Sequence, residues 1–228
     1  MADCGNRVLM LAEVHHGQRP LDDPVRPTTK DRPRLSGAER RRPPAGGIFP
    51  RKPEHEAMSP TDVTYLPESP AHDAEIDALN EEAFGPGRFA RAAYRIREGG
   101  PHDRGLSFVA VRDGAVIASV RMTPVAAGAG RAQMLGPLAV RPAFKNLGIG
   151  RRLVALALAE AAKAGQPAVI LVGDEPYYGP LGFARVPRGQ LAFPRPVDLD
   201  RVLAHEIAPG AVRRLAGEVC HAAQARTA

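Results

Sequence analysis

"AVRPAFKNLGIGRRLVALALAEAAKAG", residues 139–165, begins as a strand and ends as a helix. Leu153, Leu156, Ala157 and Ala161 recur at helical spacing and give its second half an apolar stripe to bury. Between the two elements stand Gly148 and Gly150, with Arg151 and Arg152 directly behind them. A helix N-terminus carries unbonded N–H groups and a partial positive charge, so it holds anions. Glycine at that turn removes the Cβ that would keep a phosphate off the backbone, and the arginines add charge beside it. The stretch predicts a strand, an anion-binding turn and a helix in direct succession.

Three anion loops compete for this pattern. The P-loop requires G-x-x-x-x-G-K-[ST], which no part of the chain supplies. The dinucleotide fingerprint G-x-G-x-x-G fails because Leu153 stands where its third glycine belongs. The acyl-CoA loop, [Q/R]-x-x-G-x-[G/A], is matched by Lys145-Asn146-Leu147-Gly148-Ile149-Gly150 with one departure. Lys145 is cationic like the arginine it replaces but lacks the planar two-pronged fork.

On these residues the chain resembles the GCN5-related N-acetyltransferase (GNAT) family, and within it the YhbS-type bacterial subgroup. A second element supports the likeness: "YYGPLGF" has Tyr178, Gly182 and Phe183 in the register of the family's Y-x-x-x-G-F, one helix and one strand downstream. The resemblance covers roughly residues 60–190. It implies an α/β chain with the GNAT (acyl-CoA N-acyltransferase) fold, a mixed central sheet flanked by helices. It implies that the turn at 145–150 and Arg151 hold the CoA pyrophosphate. It also implies that Leu138, Ala139 and Val140 splay from the neighbouring strand, so that the pantetheine arm pairs with their free backbone. Acetyl-CoA enters as a co-substrate, with no metal, and Tyr178 protonates the departing sulfur. A phenol suits that step, being protonated at neutral pH yet able to give a hydrogen bond to a thiolate. Neighbouring Tyr177 reads as the packing tyrosine of the pair.

The general base is less defined. Many relatives place a carboxylate on the strand before the loop, and "RAQMLGPLAV" has none. Asp174 and Glu175 close the next strand, where ligands gather in open α/β sheets; Asp174 serves equally well as a cap for the following turn. No base is assigned. His102, in "GGPHDRG", is either a ligand-binding group or solvated, and Arg141 either meets the 3′-phosphate of CoA or faces water.

The rest of the chain sets the frame. Its 228 residues carry a formal net charge of +6, which favours anionic partners. Aromatics make up only 5% and tryptophan is absent, which weakens any reading built on stacked bases or sugars. Cys4 and Cys220 offer neither a metal-ligand spacing nor a disulfide framework and read as free thiols. No apolar run reaches the roughly 18 residues of a membrane span, and the first residues lack a signal-peptide core, so the expected location is the cytoplasm. Residues 1–57 are rich in Pro and Arg without a period of 2 or 3.6 and read as a disordered basic extension, with Met58 as the native start. Residues 58–228 read as the acetyltransferase domain, 189–228 being its less defined C-terminal part.

Within that domain "DVTYLP" reads as a strand, and Ser69 and Pro70 open a helix carrying Ile76, Leu79 and Phe84. "RFARAAYRIREGG" reads as a second short helix, and Asp113–Gly114 joins two strands as a hairpin. "AQMLGPLAV" is a strand broken at Gly136–Pro137, "AVILVG" a buried strand, and "DEPYYGPLGF" a turn-rich segment. The remainder reads as one or two strands and a terminal helix. The order β-α-α-β-β-β-α-β-α-β gives an antiparallel meander that turns parallel near the motif.

The resulting functional expectation is an N-acetyltransferase acting on a small-molecule or peptide amine, with direct attack on the thioester and a homodimer as the family's common assembly. A GNAT-fold module that binds acyl-CoA without turnover is the alternative. Nucleic-acid binding through the basic extension ranks below both.

Overall fold

The computed structural model describes residues 62–90 and 92–225. The expected extension over 1–57, the start at Met58 and Cys4 lie outside these residues. The first strand, β1 (Thr64–Pro67), leads through a 3-10 turn at Pro70–His72 into α1 (Asp73–Phe84). A second turn, Pro86–Ala90, precedes α2 (Ala92–Arg97). The meander β2 (Phe108–Arg112), β3 (Ala115–Ala127) and β4 (Gly130–Val140) follows. Asp113 and Gly114 join β2 to β3 with φ of +51° and +77°, the left-handed pair that a tight hairpin of this twist demands.

The glycine turn then opens α3 (Ile149–Lys163), and β5 (Ala168–Val172) returns parallel to β4. One sheet runs β1-β2-β3-β4-β5-β8-β6, with β8 (Val202–Glu206) and β6 (Ala184–Arg185) antiparallel beyond β5. The meander does turn parallel at the motif. Helix α3 covers one face, packing Leu153, Val154, Ala157 and Ala161 against Ala118, Val120 and Met122 of β3. Helix α1 covers the other, packing Ile76 and Leu79 against Val109, Val116 and Ala139. Both sets follow the spacings read from the sequence with one correction: Val154 is buried where Leu156 was expected, and Leu156 is only half-buried.

Three local readings need correction. Gly136–Pro137 does not break its strand: β4 runs through as a bulge, with β3 pairing Val120 to Leu138 and Met122 to Leu135. The turn-rich segment contains a short helix, α4 (Glu175–Tyr178), followed by a 3-10 turn at Gly179–Leu181. The C-terminal part holds three strands, and its helix is not terminal. These are β7 (Leu191–Ala192), β8 and β9 (Gly217–His221), with α5 (Ala211–Arg214) before β9. Two-residue strands are too short to show a period. β9 owes its place to β3, pairing Val125–Ala127 beyond the point where β2 has left that edge.

Candidate active site

The site forms where two neighbouring strands part. β4 and β5 are paired only at Gln133 with Val169 and Met134 with Ile170. From Leu135 onward β4 has no partner on that side among the described residues, so the β5-facing backbone of Leu138, Ala139 and Val140 is unpaired there. Ala139 is buried against α1, while Leu138 and Val140 are half-buried on the α3 side. The bulge at Gly136–Pro137 sits where the strands separate, and Arg97 of α2 holds it, donating from Nη1 to the Gly136 carbonyl at 2.7 Å.

Directly after β4, a 3-10 turn (Pro142–Phe144) carries the chain into the glycine turn. Lys145, Asn146, Leu147 and Gly148 are exposed, whereas Ile149 and Gly150 are buried at the foot of α3. Asn146 (φ +64°) and Gly148 (φ +78°) both adopt left-handed backbone, and around Gly148 no atom lies within 4 Å of where a Cβ would stand. The first intrahelical bond runs from Arg152 N to Gly148 O, leaving the N–H groups of Ile149, Gly150 and Arg151 without an acceptor in the turn. Arg151 and Arg152 are exposed beside them, and Lys145 forms no ion pair among the described residues. This end of the cleft is a ring of donors with open space above Gly148.

The space beside Gly150 is different. A Cβ there would stand 2.7 Å from the Tyr177 hydroxyl, with Val140 and Leu138 next nearest at 3.5 and 3.6 Å. Gly148 therefore faces open space and Gly150 faces a tyrosine, whereas the sequence reads both as facing a phosphate.

The tyrosine pair also departs from expectation. Tyr178 is the more buried, at 6% exposure, stacked edge-on against Phe183 at 5.7 Å and lying over Gly173. Burial, with the nearby Tyr177 and Asp174, pushes its phenol well above the ordinary range despite Arg201. Its hydroxyl makes no hydrogen bond among the described residues, yet it is not one of the fully sealed unpaired atoms. Tyr177 is half-buried, meets Tyr178 edge-on at 4.8 Å and carries the Arg151 guanidinium 5.4 Å from its ring centre. Adjacent helix positions lie about 100° apart, so the two rings point differently, Tyr178 lying deeper and Tyr177 reaching toward Gly150. Nothing in the local sequence says which does which.

The remaining candidates are tied into the protein. Asp174 takes the cap position of α4 without a side-chain cap bond, its carboxylate meeting Arg201 Nε at 3.1 Å. Glu175 pairs with Arg185 at 2.6 Å. Arg141 donates from Nε to the Val116 carbonyl at 2.9 Å and reaches Glu82 with Nη1 at 3.3 Å, which ties it to β3 and α1. His102 is not solvated: its Nε2 lies 2.8 Å from Glu68, whose side chain is fully buried. Glu68 also accepts from Arg104 and from Arg121, the β3 residue opposite the bulge, and both arginines reach Asp73 at the start of α1. Sequence reading missed Arg97, Glu68 and Arg121, because none belongs to a local motif.

The chain is similar to known proteins in sequence and in fold. The family model of the acetyltransferase (GNAT) family matches residues 73–183. An uncharacterised N-acetyltransferase of Escherichia coli K12, YhbS, is 31% identical over 155 residues, which are 67% of this chain and 92% of that protein. The chain belongs to the GNAT acetyltransferase family. A crystal structure of Escherichia coli YhbS in complex with CoA superposes with a TM-score of 0.61 at 28% identity, covering 70% of this chain and 89% of that one. A GNAT family acetyltransferase from Brucella melitensis in complex with acetyl-CoA gives 0.53 at 28% identity, covering 71% and 97%. The GNAT fold and acyltransferase class expected from the two motifs are thus established. Among the described residues no helix is long and apolar enough to cross a membrane.

Proposed function

We propose that this GNAT protein transfers the acetyl group of acetyl-CoA to a primary amine of a small molecule or peptide. The observation that carries the reading is the parting of β4 from β5 after Met134 and Ile170, immediately before a helix start whose first N–H groups have no acceptor among the described residues. An extended chain ending in a diphosphate fits such a cleft along its length: unpaired strand backbone for amide groups, then free N–H groups and arginines for the phosphates. Neighbours that superpose on this chain were crystallised with CoA and with acetyl-CoA, which supports the same ligand here.

In this reading Lys145, Asn146, Leu147, Gly148, Ile149, Gly150 and Arg151 hold the diphosphate, and Leu138, Ala139 and Val140 orient the chain that follows it. Acetyl-CoA, when bound, supplies a thioester carbon open to attack by an amine. Tyr178 keeps its proton on Oη, because burial holds the phenol neutral, and passes it to the departing sulfur as Oη regains a proton from water. The acceptor nitrogen gives up its own proton to water, since Asp174 and Glu175 are each committed to an arginine.

The test is thermal unfolding of the full chain with and without acetyl-CoA, beside Gly148→Glu. Saturation at ~100 times Kd stabilises by about 2.7 kcal/mol, a rise of several degrees in Tm. The parent should show this rise and the acidic variant should lose it. An unmoved parent at millimolar acetyl-CoA would refute the reading.

A further inference from the structure

The Tyr177 hydroxyl reaches from the β5 side of the cleft to the β4 side. Tyr177 belongs to α4, which follows β5, yet its Oη occupies the space above Gly150 in the first turn of α3, beside Val140 and Leu138 of β4. It spans the gap that the parted strands leave open, at the level where a ligand must pass from the glycine turn into the splay. Three features separate it from a packing residue. The hydroxyl has no hydrogen-bond partner among the described residues and is not sealed from solvent. Its ring supports Arg151, the first cation of α3. The contact also exists only because position 150 is glycine: any Cβ would displace the phenol.

We propose that Tyr177 is a donor-binding latch whose hydroxyl donates a hydrogen bond to the diphosphate of CoA while its ring holds Arg151 toward the same phosphates. The two tyrosines then divide the work, Tyr177 binding the donor and Tyr178 handling the proton. Burial raises the Tyr177 phenol above its ordinary value, with Arg151 opposing, so the hydroxyl keeps the proton it donates. Gly150 serves the latch by giving it a seat, and Gly148 serves the ligand by giving it room. The assignment rests on the acyl-CoA reading above.

The experiment is calorimetric titration of CoA into the full chain as parent, Tyr177→Phe, Gly150→Ala and the double variant. Losing one hydrogen bond to a charged acceptor weakens binding by about 10-fold or more, so Tyr177→Phe should bind CoA at least that much more weakly. Gly150→Ala should weaken it comparably by unseating the phenol. In the Tyr177→Phe background it should cost less than about 3-fold, since the oxygen it displaces is already gone. Tyr177→Phe binding CoA within 2-fold of the parent, or more tightly, would overturn the latch. So would losses at the two positions that simply add. A parent that does not bind CoA at all would overturn the donor reading itself, which separates the two failures. All variants keep their core side chains, and an unliganded Tm within about 2 °C of the parent would confirm that each one folds.

Discussion

Arg97 of α2 donates from Nη1 to the carbonyl oxygen of Gly136 at 2.7 Å, joining a helix to the bulge where β4 leaves β5. The bond ties the position of α2 to the shape of the cleft floor. Its loss should therefore disturb chemistry before it disturbs donor binding, because the glycine turn lies at the opposite end of the splayed strand. Arg97→Met keeps the aliphatic stem and removes the donor. We expect turnover of acetyl-CoA, followed as free thiol, to fall about 10-fold, the Kd for CoA to stay within about 3-fold, and Tm to drop by about 4 °C. Equal losses in turnover and affinity would show that Arg97 supports the whole cleft rather than the bulge.

Glu68 gives a pH-dependent stability. Burial alone would raise its carboxyl, but hydrogen bonds from His102 and Arg121, with their charges, outweigh that and leave it below the ordinary range. A depressed carboxylate contributes stability above its unfolded value of about 4.3, and that contribution is lost as pH falls through the folded value. Chemical denaturation between pH 7 and pH 3 should show the parent losing stability at the acid end. Glu68→Gln should be about 2 kcal/mol less stable at pH 7, with Asp73 left to Arg104 and Arg121 as their shared carboxylate, and its pH curve should be flatter. Parallel curves for the two proteins would remove Glu68 as the source.

Tyr178 should act at the chemical step alone. Tyr178→Phe fills the same space against Phe183, so the fold should hold while the proton on Oη is lost. The expected result is a fall in turnover of about 100-fold or more at saturating acetyl-CoA, with CoA affinity within about 3-fold. Because burial raises the phenol, the parent's turnover should show no alkaline decline from this group up to about pH 10. A decline near pH 9 that vanishes in Tyr178→Phe would contradict the buried, neutral phenol.

The terminal strand should prove essential to the fold. Val219 of β9 is 1% exposed and packs in the cluster of Ile96, Val125 and Leu215, whereas its neighbour Glu218 is exposed. Val219→Asp would bury an unpaired charge and should lower Tm by more than about 10 °C or abolish soluble expression. Glu218→Ala should leave Tm within about 2 °C. Comparable behaviour of the two variants would mean that β9 does not hold β3 in solution.

Local readings held wherever a few consecutive residues fix the backbone. Asp113–Gly114 specifies its hairpin because both positions need left-handed φ, and the α3 stripe specifies a buried face because Leu153, Ala157 and Ala161 repeat with the helix. Gly148 and the arginines behind it mark a helix start by the same local logic, and with the downstream Y-x-x-x-G-F they were enough to name the family. The tertiary structure alone decided the rest. Where β4 parts from β5 depends on pairings between residues 36 apart, Gln133 with Val169 and Met134 with Ile170. That β9 fills the edge of β3 depends on residues nearly a hundred positions away, such as Val125 and His221. Glu68 finds Arg121 across 53 positions, and Tyr177 rather than Tyr178 faces Gly150 because α4 docks in one rotation and not another. Periodicity and turn chemistry are properties of neighbouring residues, and they carry no record of backbone pairings, ion pairs or helix rotations that exist only once distant segments meet.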